Sequence, residues 1–378
     1  MNNPRPGQSG EDALKFTPLH GLQVELGARM VPFAGYEMAV NFPLGVLGEH
    51  NHTRARAGLF DVSHMGQIRL HGDARVGALE ALVPADIENL APGAMRYSQL
   101  TNDRGGIIDD LIVTNALDGD HLVLVVNGAN KADDLAHMEA ALPSGMEFEH
   151  RWDDALLALQ GPAAAAVMAR LAPGSEKLLF MTSQGSQIGG VACHVSRAGY
   201  TGEDGFEISM PGERAEEIAR LLLAEREVEA IGLGARDSLR LEAGLCLHGH
   251  DIDATTTPIE AGLAWSIQKR RRAGGRFPGA DIILAQLKDG AGRSRVGILP
   301  DGRAPAREGA AVVNGDGHVI GAITSGGFGP TYGGPVAMGY VQADHAETGT
   351  SLGLVVRGKT LPAKVAKMPF VPNRYFRG

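Results

Sequence analysis

Alternating runs dominate the first half of the chain. Residues 66–72 (GQIRLHG) set apolar and polar side chains on opposite faces, as a half-buried strand does. Residues 107–114 (IIDDLIVT) and 121–126 (HLVLVV) predict two more strands. Asp118-Gly119 between them predicts a hairpin turn, with a loop longer than the two-residue minimum. Helical spacing appears at 129–141, 212–226 and 233–243. A short apolar run at 155–159 leads to Gly161-Pro162, which opens an alanine-rich helix to about Leu171. Such irregular mixing predicts an α+β fold, not a regular βαβ array. Residues 269–292 are basic, then punctuated by Gly and Pro, and predict a domain junction. Beyond it, strand patterns at 295–299, 311–313, 318–324, 336–341, 352–356 and 361–366 predict a small β-barrel or sandwich.

Length and composition refine this picture. A chain of 378 residues exceeds one compact core and implies two or three domains. Its 52 glycines favour a turn-rich, β-rich fold. A formal charge of −9 argues against nucleic acid as a partner. Two cysteines, Cys193 and Cys246, cannot form a disulfide framework and fit a reducing compartment. No apolar run reaches the ~18 residues needed to span a bilayer, so no membrane association is expected. Residues 1–15 lack a secretory core and read as a disordered lead-in. The expected location is cytoplasmic.

Several side chains could carry chemistry. Asp109 and Asp110 are adjacent carboxylates in an apolar strand, so alternation points them to opposite faces. Either one is exposed while the other bonds a neighbouring loop, or one meets a ligand. In 197–210 (RAGYTGEDGFEISM) three glycines suggest a mobile turn between strands. Past it, Phe206 and Ile208 share one face, and Glu207 and Ser209 the other, towards a site or towards solvent. Arg236 and Arg240 stand four apart on a helix, either as an exposed face or as a fork for a carbonyl or carboxylate. The basic run 269–272 is a solvated junction or a docking patch for an acidic partner.

Two attractive motifs carry less. The clusters around His50-Asn51-His52 and His248-Gly249-His250 lack the spacing of a closed metal site. Residues 353–360 (GLVVRGKT) satisfy the phosphate-loop pattern to the letter. That loop needs a helix after the Lys-Thr, and here Leu361-Pro362 and an alternating run follow. The segment predicts a hairpin, and neither metal nor nucleotide is expected.

Taken together, the segments resemble the glycine cleavage T-protein family over nearly the whole chain. The resemblance is carried by 31–36 (VPFAGY), 60–65 (FDVSHM), 105–110 (GGIIDD), 159–162 (LQGP), 199–205 (GYTGEDG), 235–244 (ARDSLRLEAG) and 277–280 (FPGA), in family order. It implies three domains around a central folate site: two interleaved N-terminal lobes over 16–285 and a C-terminal β-barrel over 290–372. It implies a tetrahydrofolate-dependent aminomethyltransferase acting on the lipoylated H-protein, linked functionally to the P- and L-proteins. The essential aspartate matches Asp110, and the pterin-contacting pair matches Glu207 and Arg236. Tyr97, Tyr200, Met65 and Asn127 match the pocket lining, and Tyr375 a further ligand contact. A rival on the same scaffold is a folate-dependent demethylase of a small methylated compound.

Overall fold

The computed structural model describes residues 13–378, so the expectation for residues 1–12 lies outside the described residues. Lys15, at the end of the expected lead-in, is already ordered against Tyr36 by backbone hydrogen bonds. The alternating runs of the first half form an antiparallel five-stranded sheet. Its order is Met95–Thr101, Ile107–Asn115, His121–Val126, Gly66–His71, Glu147–His150. One face packs Ile68, Leu70, Leu111, Val113, Leu122 and Leu124 into a core that includes Met138 of the helix Lys131–Ala141.

A second sheet of six strands runs Thr182–Ile188, Val191–Arg197, Gly205–Pro211, Asp154–Gln160, Ala57–Asp61, Val228–Ile231. The run 155–159, which periodicity alone left unassigned, is its inner strand. Both of its faces are buried, which is why it reads as continuous apolar sequence rather than alternation. The helices Ala164–Leu171 and Ala215–Leu223 cover one face. Phe206 and Ile208 are fully buried there, each contributing roughly 1.5–3 kcal/mol from burial. Ala57–Asp61 and Asp154–Gln160 flank the five-stranded sheet in sequence, so the two lobes interleave.

The third unit is a closed six-stranded barrel. Arg293–Pro300 pairs with Gly334–Gln342 on one side and Lys359–Ala366 on the other. Val319–Gly329, Ala311–Val313 and Ser351–Val356 complete the ring. Closure removes the exposed edges that short strands would otherwise present. The phosphate-loop lookalike is the hairpin joining the last two strands. Its two turn residues, Arg357 and Gly358, have φ of +50° and +75°, as a tight two-residue hairpin turn requires.

The expected junction 269–292 holds the helices Lys269–Gly274 and Ala280–Asp289, separated by a turn with Gly275 and Gly279 at positive φ. One local reading is corrected. The glycine-rich turn 199–205 is not mobile. Side chains at Gly199 or Gly205 would collide with Gln160, so these glycines permit close packing. The turn is pinned there, with Thr201 donating to Gln160 at 2.8 Å. Among the described residues no helix is long and apolar enough to cross a membrane.

Candidate active site

The strand Ile107–Asn115 carries the two adjacent carboxylates, and a close approach fixes its start. Gly106 leaves room for the backbone of Ala254, and the amide of Ile107 donates to the carbonyls of Asp253 and Thr256. Alternation puts Asp109 on the buried face, with no exposure, and leaves Asp110 partly open. Their separation is not complete, however. Asn127 lies just past the end of the neighbouring strand, and its Nδ2 donates to Oδ1 of both aspartates at 2.8 Å. The backbone amide of Asn127 donates to Asp109 Oδ2 at 3.1 Å, and Asn130 Nδ2 to Asp109 Oδ1 at 2.9 Å. Asp109 is therefore the buried anchor of the pair, not an inert neighbour.

This arrangement sets the acidity of Asp110. Burial first, then the charge of Asp109, push its carboxyl up to about 6. His248 and hydrogen bonds from Asn127 and Tyr97 hold it back from rising further. Tyr97, on the adjoining strand, has its phenol held well above the usual tyrosine range by burial and by Asp110. Its ring stacks on Trp265 at 5.4 Å between centroids. Trp265 is 62% exposed, a large apolar face left uncovered beside Tyr97.

A second group lies on the six-stranded sheet and the helix Leu233–Glu242. Glu207 leaves its strand on the face opposite Phe206, as alternation requires. Burial raises its carboxyl, and the Arg236 guanidinium partly offsets this. Arg236 is half-buried, its guanidinium 4.7 Å above the ring of Tyr200, and its buried Nη1 has no hydrogen-bond partner. Tyr200 donates its hydroxyl to the carbonyl of Cys246. Cys246 belongs to an apolar cluster with Ile107 that packs against Tyr97, which joins the two groups. Met65 packs with Phe60, Val62, Ala235 and Leu239 at the foot of the same helix.

Seven of the eight residues singled out from sequence thus lie around two adjoining groups. Tyr375 is tied elsewhere: it stacks on Phe180 at 4.0 Å in the C-terminal segment, close to Arg54 and Glu203. Arg240, the other half of the supposed fork, is occupied by Asp237, Asp251 and Ser325. Within the basic run only Arg271 is buried, and Lys269, Arg270 and Arg272 stay exposed. Arg270 pairs with Glu80, Asp86 and Glu88, Arg271 is buried against Glu80 and backbone carbonyls, and Arg272 bonds the carbonyls of Ala264 and Ile267. The acidic partners of Arg270 and Arg271 thus lie within the chain itself. His50 is buried among Ser238, Thr331 and Glu242. Sequence reasoning missed Trp265 and Asn130. Trp265 had one signal, as one of only two tryptophans in the chain.

The residues present suit a flat, hydrogen-bonding ligand. An aromatic face (Tyr200), a guanidinium with a buried, unpartnered nitrogen (Arg236) and a carboxylate acceptor (Glu207) converge in one group. An unpartnered buried donor is costly unless a ligand supplies the acceptor.

Comparison with known proteins places this geometry. Residues 19–271 match the GCVT N-terminal domain, and 293–372 the glycine cleavage T-protein C-terminal barrel domain. A mitochondrial aminomethyltransferase of Gallus gallus is 49% identical over 376 residues, covering 97% of this chain and 95% of that protein. One from Dictyostelium discoideum is 45% identical over 385 residues, covering 97% and 95%. The crystal structure of the glycine cleavage system aminomethyltransferase T from Bartonella henselae superposes with a TM-score of 0.91 at 46% identity. It covers 96% of this chain and 100% of that one. The relatives named mitochondrial overturn the expectation of a cytoplasmic location. Both cysteines are free and buried, which fits any reducing compartment and does not single out one.

Proposed function

The chain belongs to the glycine cleavage T-protein family, and on that premise we propose how its residues divide the work of an aminomethyltransferase. The reaction takes the methylene of the aminomethyl group carried on the lipoyl arm of the H-protein. Tetrahydrofolate accepts it, and ammonia, 5,10-methylenetetrahydrofolate and the dihydrolipoyl arm are released. The P- and L-proteins act in the same system. No relative reported above is named a demethylase. We take 16–285 as the folate-binding region and 290–372 as the barrel unit.

Tetrahydrofolate, when bound, supplies the nucleophilic nitrogen, so no side-chain nucleophile is needed. Glu207 and Arg236 orient the pterin, the carboxylate accepting N–H bonds and the guanidinium donating to an oxygen. Tyr200 and Met65 form the apolar wall. Tyr97 and Asn127 hold Asp110 in place from two sides. Asp110 takes or returns a proton at its Oδ atoms, and when ionised it stabilises developing positive charge.

The observation that carries this reading is the Asp110 carboxyl, partly open and raised to about 6. A group near neutrality can be ionised at physiological pH and still exchange a proton. Purified protein with tetrahydrofolate and aminomethyl-loaded H-protein should release ammonia. Transfer of the one-carbon unit to folate from a methylated small molecule, with no ammonia released from the loaded H-protein, would overturn the reading.

A further inference from the structure

Residues 370–378 leave the barrel and run back over the lobe that carries Tyr200. A chain end frays unless contacts offset the cost of ordering it. This one is tied along its whole path. The amides of Phe370 and Val371 donate to the carbonyl of Glu242 at 2.9 and 3.1 Å, and the amide of Arg374 donates to the carbonyl of Gly202 at 2.8 Å. Further on, the carbonyl of Phe376 accepts the amide of Phe180 at 2.8 Å.

The segment grips the glycine-rich turn 199–205 from outside, while Gln160 pins it from inside. Gly202, at φ +78°, leaves the space that Asn373 occupies: a side chain there would come within 2.9 Å of Asn373 Oδ1. Two residues on, Asp204 is held by Arg197, which is only 2% exposed. Its Nε and Nη2 donate to the two carboxylate oxygens at 2.9 and 2.5 Å. The Arg197 guanidinium lies between two rings, 5.0 Å from that of Phe206 and 4.2 Å from that of Phe376. Phe206 belongs to the lobe's own core, so Phe376 is the cover that the C-terminal segment adds. An aromatic face over a guanidinium attracts it, and excluding water strengthens the pair beneath. The same segment also reaches the other group of the site. Phe180 precedes Met181, whose carbonyl accepts the amide of Met95 at the start of the strand carrying Tyr97.

We propose that Phe376 is a positioning residue: by covering the Arg197–Asp204 pair it fixes the turn that presents Tyr200, and so sets the affinity for tetrahydrofolate. The proposal rests on the folate reading of Tyr200, Arg236 and Glu207. With the cover gone the turn samples other arrangements, and the apparent Kd rises as the inverse of the fraction that still presents Tyr200.

Calorimetric titration of the full chain with tetrahydrofolate tests this. Phe376→Ala should raise the Kd about fivefold or more, as when about a fifth of the molecules stay competent. At saturating folate and aminomethyl-loaded H-protein, kcat should stay within about twofold of the wild type, because Asn127 and Tyr97 hold Asp110 from other strands. Phe376→Tyr keeps the aromatic face and should restore the wild-type Kd. Phe376→Leu keeps the bulk without the face and should raise the Kd less than alanine does, which keeps the test open if Phe376→Ala folds poorly. A wild-type Kd in both the alanine and leucine variants overturns the proposal. A lower binding stoichiometry at unchanged Kd also overturns it, because that marks lost folded protein and not a lost geometry. So does a tyrosine variant as weak as alanine. Hydrogen exchange over 199–205 gives a readout without folate: it should be faster in Phe376→Ala than in the wild type, and equal rates overturn the hold on the turn. A wild type that binds no tetrahydrofolate would instead defeat the functional reading, and the exchange rates would still judge Phe376.

Discussion

The two ends of the helix Leu233–Glu242 both bury charge, but they complete it differently. At the C-terminal end, Glu242 Oε2 accepts from Arg54 Nη2 at 2.9 Å and lies 3.2 Å from His50 Nε2. Its Oε1 accepts the amides of Thr331 and Tyr332 at 2.8 and 3.0 Å. Arg54 also donates to Glu203 and to the carbonyl of Thr201. In the first turn, Arg236 faces Glu207 and Tyr200 with Nη1 unpartnered. A cation near a helix N-terminus is also opposed by the helix dipole. The first cluster ties lobe to barrel and is satisfied from within. The second is not, and in the function proposed above a ligand supplies the missing acceptor. Saturation of buried charge thus separates a joint from a site.

The largest test of this contrast strikes the joint. Glu242→Ala should lower folding stability by about 3–5 kcal/mol, because it removes one of the two carboxylates that pair with buried Arg54 and leaves the amides of Thr331 and Tyr332 without their acceptor. Urea unfolding would measure it. Burial alone would raise the Glu242 carboxyl, but His50, the Tyr332 amide and Arg54 hold it at about 2. Its stabilising effect is therefore present above the ordinary pKa and lost as pH falls towards 2. A loss under 1 kcal/mol would mean the cluster is not what joins these units.

On the site side the sign reverses. Asp110→Asn should lower kcat about 10²-fold or more, with folate affinity changed far less. The same variant should raise Tm at pH 7.5. A carboxyl raised to about 6 favours its neutral form in the folded state, so its contribution is full at low pH and lost as pH rises through 6. The gain from Asn should shrink as pH falls towards 4. Retained activity would remove Asp110 from the mechanism.

Next in size is the ligand clamp. Glu207→Ala should weaken folate binding by roughly 1.5–3 kcal/mol, the range for hydrogen bonds involving a charged group, with little change in stability. Calorimetric titration would show it, and equal affinity would mean Glu207 serves another purpose. The smallest effect separates the two adjacent aspartates. Asp109→Asn removes the like charge beside Asp110, so the acidic limb of the pH–rate profile should move down by about one unit. An unmoved limb would show that Asp109 does not tune Asp110.

Much of this protein was legible in its sequence by itself. Period-two runs such as 66–72 and 121–126 report a sheet with one buried face, because side chains alternate whatever the rest of the chain does. The hairpin at Arg357-Gly358 was readable because local turn chemistry fixes it. Family-ordered motifs named Asp110, Glu207 and Arg236. Only the tertiary structure decided which buried charges stay unpaired. Arg236 and Arg240 are the same residue type on one helix, yet Asp251 and Ser325 complete one and nothing completes the other. The basic run 269–272 looked free until Glu80 and Asp86, some 190 residues earlier, were found beneath it. Periodicity and turn chemistry act over a few residues, whereas desolvation and pairing of charge depend on which distant segments the fold brings within a few ångströms.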